Sequence, residues 1–118
     1  MNTEGITRVS KLPKTVKVGT LTFDIIESDD DWNIEEGADE VNFFGQSQFF
    51  DQRIVINPGI KFDAKRETLM HELLHCCFHQ TGAPLSFDDE ELVVRCLAPL
   101  LINLLESNKQ VAKCLIGE

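Results

Sequence analysis

The sequence predicts an α+β domain: a small antiparallel sheet of two hairpins packed beside a helix carrying H-E-x-x-H and a second long helix. Two observations predict it. Period-two runs broken by turn residues fill the first half, and helix-forming runs fill the second. Strands followed by helices, rather than alternating with them, point to this class.

Residues 1–14 read as a loose lead-in, with Pro13 marking the start of order. Thr15-Val16-Lys17-Val18 alternates polar and apolar side chains, Leu21-Thr22-Phe23-Asp24-Ile25 does so again, and Gly19-Thr20 suits a tight turn between them. Asp29-Asp30-Asp31 and Glu35-Glu36-Gly37 surround the only tryptophan, Trp32, and read as a solvated loop or short helix. The alternating spacing of a calcium loop is missing there. Phe43-Phe44 through Phe50, then Arg53-Ile54-Val55-Ile56, predict a second hairpin that turns near Asp51-Gln52 and is closed by Asn57-Pro58-Gly59. Phe43, Phe44, Phe49 and Phe50 are expected mainly in the core, and one strand of this hairpin is a candidate open edge for an added peptide strand.

Asp63 is the expected N-cap of a helix over residues 64–80, which Gly82 and Pro84 stop. Ser86, with Asp89 three residues on, opens a second helix to about Ser107, in which Pro99 must kink the axis or tighten the preceding turn. Residues 109–116 read as a short terminal helix.

At 118 residues the chain is expected to be one domain, spanning residues 1–118. Arg95, Asn103 and Glu106 interrupt the most apolar stretch, so a membrane span is not expected. No apolar segment follows the charged N-terminus, which does not read as a secretory signal. The net charge of −9 argues against direct nucleic-acid binding and favours a bound cation. Cys76, Cys77, Cys96 and Cys114 lack the spacing of a structural metal site and are expected as reduced thiols of a cytoplasmic protein. Cys76 and Cys77 are expected in the core, Cys96 and Cys114 in the core or between helices.

The stretch that carries chemistry is His71-Glu72-Leu73-Leu74-His75. Residues four apart on a helix project about 40° from each other, so both imidazoles can reach one ion. Glu72 lies about 100° round from His71, placed to act as general base on water that a zinc ion has acidified. Leu69, Met70, Leu73, Leu74, Cys76 and Cys77 fill the opposite half of the wheel, an apolar back behind a His/Glu front. Two histidines leave one zinc ion short of the three protein ligands a catalytic site uses. The metzincin continuation is absent, since Phe78 stands where glycine is needed. Glu91, at the mouth of an apolar helix with Arg95, Ala98 and Ile102 on its face, is the candidate third ligand. Glu90 is its alternative, though with Asp88 and Asp89 it also suits the helix N-terminus.

Thr68-x-x-His71-Glu72-x-x-His75, followed by Glu91-x-x-Val94-Arg95-x-Leu97-Ala98-Pro99, resembles the minimal gluzincin-like zinc metallopeptidases of the ImmA/IrrE type, above all their compact phage- and prophage-encoded versions. The resemblance covers about residues 50–106. It implies His71, His75 and Glu91 as ligands, Glu72 as the base, and a small sheet beside the active-site helix. Larger relatives carry Ala-Asn where this chain has Val94-Arg95, and many have a further domain. The group is linked to cleavage of repressor-type regulators.

Peptide hydrolysis needs an oxyanion stabiliser besides the metal, and with no tyrosine in the chain a Tyr donor is excluded. His79 either takes that part, orients a ligand or caps the helix end. Arg95 either steadies Glu91 or a substrate carbonyl, or forms a surface ion pair. The expected function is that of a zinc endopeptidase acting on a protein or peptide partner, in the cytoplasm of a bacterial host if phage-encoded. The alternative is a zinc-stabilised binding or regulatory module of phage origin without protease activity, and hydrolysis of a non-peptide amide would use the same metal chemistry.

Overall fold

A computed structural model of the chain describes residues 11–32, 44–82 and 84–118. Four strands and three helices follow one another as β1 (Thr15–Val18), β2 (Leu21–Glu27), β3 (Gly45–Gln48), β4 (Arg53–Ile56), α1 (Phe62–Thr81), α2 (Phe87–Ser107) and α3 (Lys109–Leu115). The α+β class and the two hairpins are as the sequence predicts.

The strands lie in the order β1-β2-β4-β3. Each hairpin is antiparallel, but where they meet β2 and β4 run parallel, with Ile25 opposite Ile54 and Glu27 opposite Ile56. The sheet is therefore mixed rather than wholly antiparallel. A parallel pair needs a connection of a dozen or more residues, and the chain between Glu27 and Arg53, which includes β3, is long enough. Hairpin periodicity says nothing about such a pairing.

Phe23, Ile25, Ile54 and Ile56 lie on the sheet face turned to α1 and enclose Cys76, with Leu69 and Leu73 packed at the margin. Gln80, in the last turn of α1, donates to Val18 O and accepts from Thr20 N, tying the first hairpin's turn to the helix. Gly19 in that turn has φ +61, and a Cβ there would collide with the Gln80 amide. The lead-in ends earlier than expected: Leu12 already packs on the core and Lys14 O accepts from Ile25 N. Residues 1–10 and most of the acidic stretch beyond Trp32 lie outside the described residues.

α1 begins at Phe62 with Lys61 as its N-cap and no side-chain cap, so Asp63 is not the cap; it sits in the first turn, 3.5 Å from Arg66. Gly82 ends the helix in the left-handed conformation, its N–H on Phe78 O. α2 has the expected cap, Ser86 accepting from Asp89 N at 3.1 Å, and it stays helical through Pro99.

Three expectations about burial hold only in part. Phe49 packs on the core, but Phe44 and Phe50, just outside β3, are 52% and 75% exposed; Phe43 lies outside the described residues. Cys76 is buried, but Cys77, Cys96 and Cys114 are exposed and none forms a disulfide. On α1 the most buried side chains are Thr68, Glu72, His75 and Cys76, whereas Leu69, Met70, Leu73 and Leu74 are only half-buried. The helix is clamped between β3 and α2, and its polar front is the more enclosed side. Among the described residues, no helix is long and apolar enough to cross a membrane.

Candidate metal centre

α1 is an uninterrupted helix across residues 71–75, so His71 and His75 fall one turn apart on one face. Their ring centroids are 5.0 Å apart and the planes lie at 61°. α2 packs against this face and brings Glu91 to it. Glu91 Oε1 lies 2.8 Å from His75 Nε2 and 3.3 Å from His71 Nε2. One ligand atom from each of the three residues lies within 4.8 Å of the other two. A tetrahedral ion holding nitrogen and oxygen ligands at about 2.0–2.1 Å spaces them by about 3.3 Å. The His-His-Glu group is therefore within metal-binding distance, and Glu91, not Glu90, completes it.

Glu90 has another place. Its Oε2 lies 2.6 Å from His75 Nδ1, on the far side of the ring from Glu91. His75 thus has a carboxylate oxygen against each ring nitrogen. A neutral imidazole carries one N–H, which suits Nδ1–H donation to Glu90 and leaves the Nε2 lone pair for a cation. That donor set is the one a metal ligand requires. The helix-terminus reading of Glu90 missed this contact, because only the approach of α2 to α1 creates it.

The other histidine of the group, His71, is partly exposed at the cleft. Removal from water holds its pKa below the ordinary value; the Glu91 charge opposes that shift, while His75 and Arg95 reinforce it. Its lone pair is accordingly kept available near neutral pH.

Glu72 is 1% exposed and is not part of the three-residue group. Ser47, in the middle of β3, donates to Glu72 Oε1 at 2.6 Å. β3 comes this close because Gly45 has no side chain: a Cβ there would stand 2.5 Å from Thr68 Cγ2 on α1. Sequence reading missed Ser47 altogether, since a serine within a run of glycine and glutamine carries no local signal.

A cleft of about 350 Å³ opens beside these groups, lined by Ala64, Thr68, His71 and Glu72 of α1, by Glu91 of α2 and by Phe44. Arg95 also lines it, 66% exposed, with Nη2 3.5 Å from Glu91 Oε2. It is placed to steady that carboxylate and is at the same time a surface ion pair. His79 neither joins the metal group nor lines the cleft; it is exposed and stacks on Phe49, centroids 4.1 Å apart and planes at 2°. β3 is the last strand in the sheet order, yet all four of its residues are buried, so it does not offer an open edge to a peptide.

Comparison with protein-family models, curated proteins and solved structures returns no match to this chain. The functional reading therefore rests on the geometry and the motif.

Proposed function

We propose that the chain is a zinc-dependent peptidase of minimal design, with His71, His75 and Glu91 as ligands and Glu72 as general base. The observation that carries this reading is the approach of Glu91 Oε1 to the Nε2 atoms of both motif histidines, with Glu72 buried alongside but outside the group. Two imidazoles and one carboxylate favour zinc over the oxygen-seeking magnesium and calcium. A zinc ion so held supplies Lewis acidity, which acidifies water and polarises a carbonyl.

The remaining roles belong to the chain itself. Glu72 takes the proton of the attacking water and delivers it to the leaving amine. Ser47 fixes the rotamer of that carboxylate by donating to Oε1. Glu90 holds the His75 ring so that Nε2 faces the site. Arg95, at the cleft wall, is the cationic side chain placed to meet a developing oxyanion, a part the chain cannot give to a tyrosine. The cleft suits a segment of a protein or peptide partner. The resemblance to the ImmA/IrrE type supports the same assignment, with a repressor-type regulator as the kind of target.

A second reading has its own observation. Glu72 is almost wholly enclosed and engaged by Ser47, as in a site that serves structure. On that reading the chain is a zinc-stabilised binding module. Incubating the zinc-loaded protein with an unstructured protein substrate and mapping products by mass spectrometry separates the two. The peptidase cleaves, and Glu72→Gln stops cleavage while keeping the metal. No cleavage by zinc-loaded wild type, or equal cleavage by Glu72→Gln, would refute the peptidase.

A further inference from the structure

α2 is apolar on two sides. One side, with Glu91, Val94 and Ala98, packs on α1. Successive i, i+4 positions on the other side place Leu92, Cys96, Leu100 and Leu104 in one ridge about 18 Å long. Leu92 is 55% exposed, Leu100 63% and Leu104 49%. Between Leu92 and Leu105 the one charged side chain is Arg95, which turns to Glu91 instead. A helix apolar all round is ordinarily covered on both faces.

We infer that this outer face of α2 is the contact through which two copies of the chain pair, helix against helix and antiparallel, about a twofold axis. The distribution of charge selects a second copy as the occupant. α2 begins with Asp88 and Asp89, while the next residue, Glu90, is turned to His75, and α3, directly after the end of α2, carries Lys109 and Lys113. A twofold axis near the middle of the ridge sets the acidic start of one α2 against the basic start of the other copy's α3. Parallel pairing would stack like charges. The metal group lies on the opposite side of α2, so pairing leaves the cleft open, and the inference does not rest on the metal reading.

The test is sedimentation velocity of the full chain over a wide concentration range. The expected result is a reversible species of two-chain mass, converted to single-chain mass by Leu100→Glu with an unchanged far-UV circular dichroism spectrum. Asp89→Lys and the pair Lys109→Glu/Lys113→Glu should each weaken pairing severalfold, and combining them should restore it. A wild-type chain that stays at single-chain mass at its highest soluble concentration would overturn the inference, as would a dimer unaffected by Leu100→Glu. Failure of the combined charge variant to recover would overturn the antiparallel arrangement.

Discussion

Ser47 Oγ donates to Glu72 Oε1 across 2.6 Å, joining the middle of β3 to the motif's carboxylate on α1. Both side chains are shielded from water, so the bond is made where an unpaired carboxylate oxygen would be costly. It joins the sheet to the proposed chemistry and gives β3 a function beyond completing the fold.

Ser47→Ala removes that donor. The expected cost is about 1.5–3 kcal/mol of folding stability, the usual range for losing a hydrogen bond to a charged group. Chemical denaturation measures it. In the same variant zinc content should stay at the wild-type level while peptide cleavage drops, because Ser47 bonds the proposed base and not the His71, His75 and Glu91 group.

Gly45→Ala should destabilise by about 1–3 kcal/mol, the cost of overpacking a tight contact. The new Cβ would meet Thr68 Cγ2 at 2.5 Å and Val55 O at 3.1 Å. Thr68→Ser deletes the methyl, so the double variant should lose less than the sum of the two single changes. A double-mutant cycle in denaturant reads the coupling, and strict additivity would show that β3 is not held against Thr68 there.

Glu90→Ala removes the carboxylate that stands against His75 Nδ1. Removal of such outer carboxylates lowers metal affinity by about 10–100-fold. Competition of the purified protein with a chromogenic chelator gives the number. Asp88→Ala, one residue from the same cluster in sequence, should leave affinity unchanged.

Much of this arrangement was legible in the sequence, and its limits have physical causes. The strands at Thr15–Val18 and Arg53–Ile56 and the helix around His71 announce themselves by period, and Ser86 by its cap. The parallel join of β2 to β4, the Glu90–His75 contact and the Ser47–Glu72 bond are each made by segments distant in sequence, so no local pattern records them. The helical wheel separates the faces of α1, and Leu69, Leu73 and Cys76 of its apolar back pack on the core. It does not show that the His/Glu face, between β3 and α2, is enclosed as well, its polar groups being buried because they have partners.

His71 makes the metal-free protein sensitive to acid. Burial lowers its pKa in the folded chain below the ordinary 6.5, so just below that pH the unfolded chain binds more protons. The contribution is fully present above 6.5 and is lost as pH falls through the lowered folded value. Denaturation of metal-free wild type should show stability falling with pH over that window, and His71→Asn should flatten the slope. Zinc loading should decline over the same range, since protons compete for the lone pair. A wild-type chain that grew more stable relative to His71→Asn on acidification would contradict the assignment.

The central claim is that Glu91 is a ligand and Glu72 is not. Zinc stoichiometry of Glu91→Gln and Glu72→Gln, measured by elemental analysis after loading and dialysis, tests it most directly. The account predicts one ion per chain in Glu72→Gln, as in wild type, and loss of the ion in Glu91→Gln. Full zinc retention in Glu91→Gln, or loss in Glu72→Gln from protein that remains folded, would contradict it.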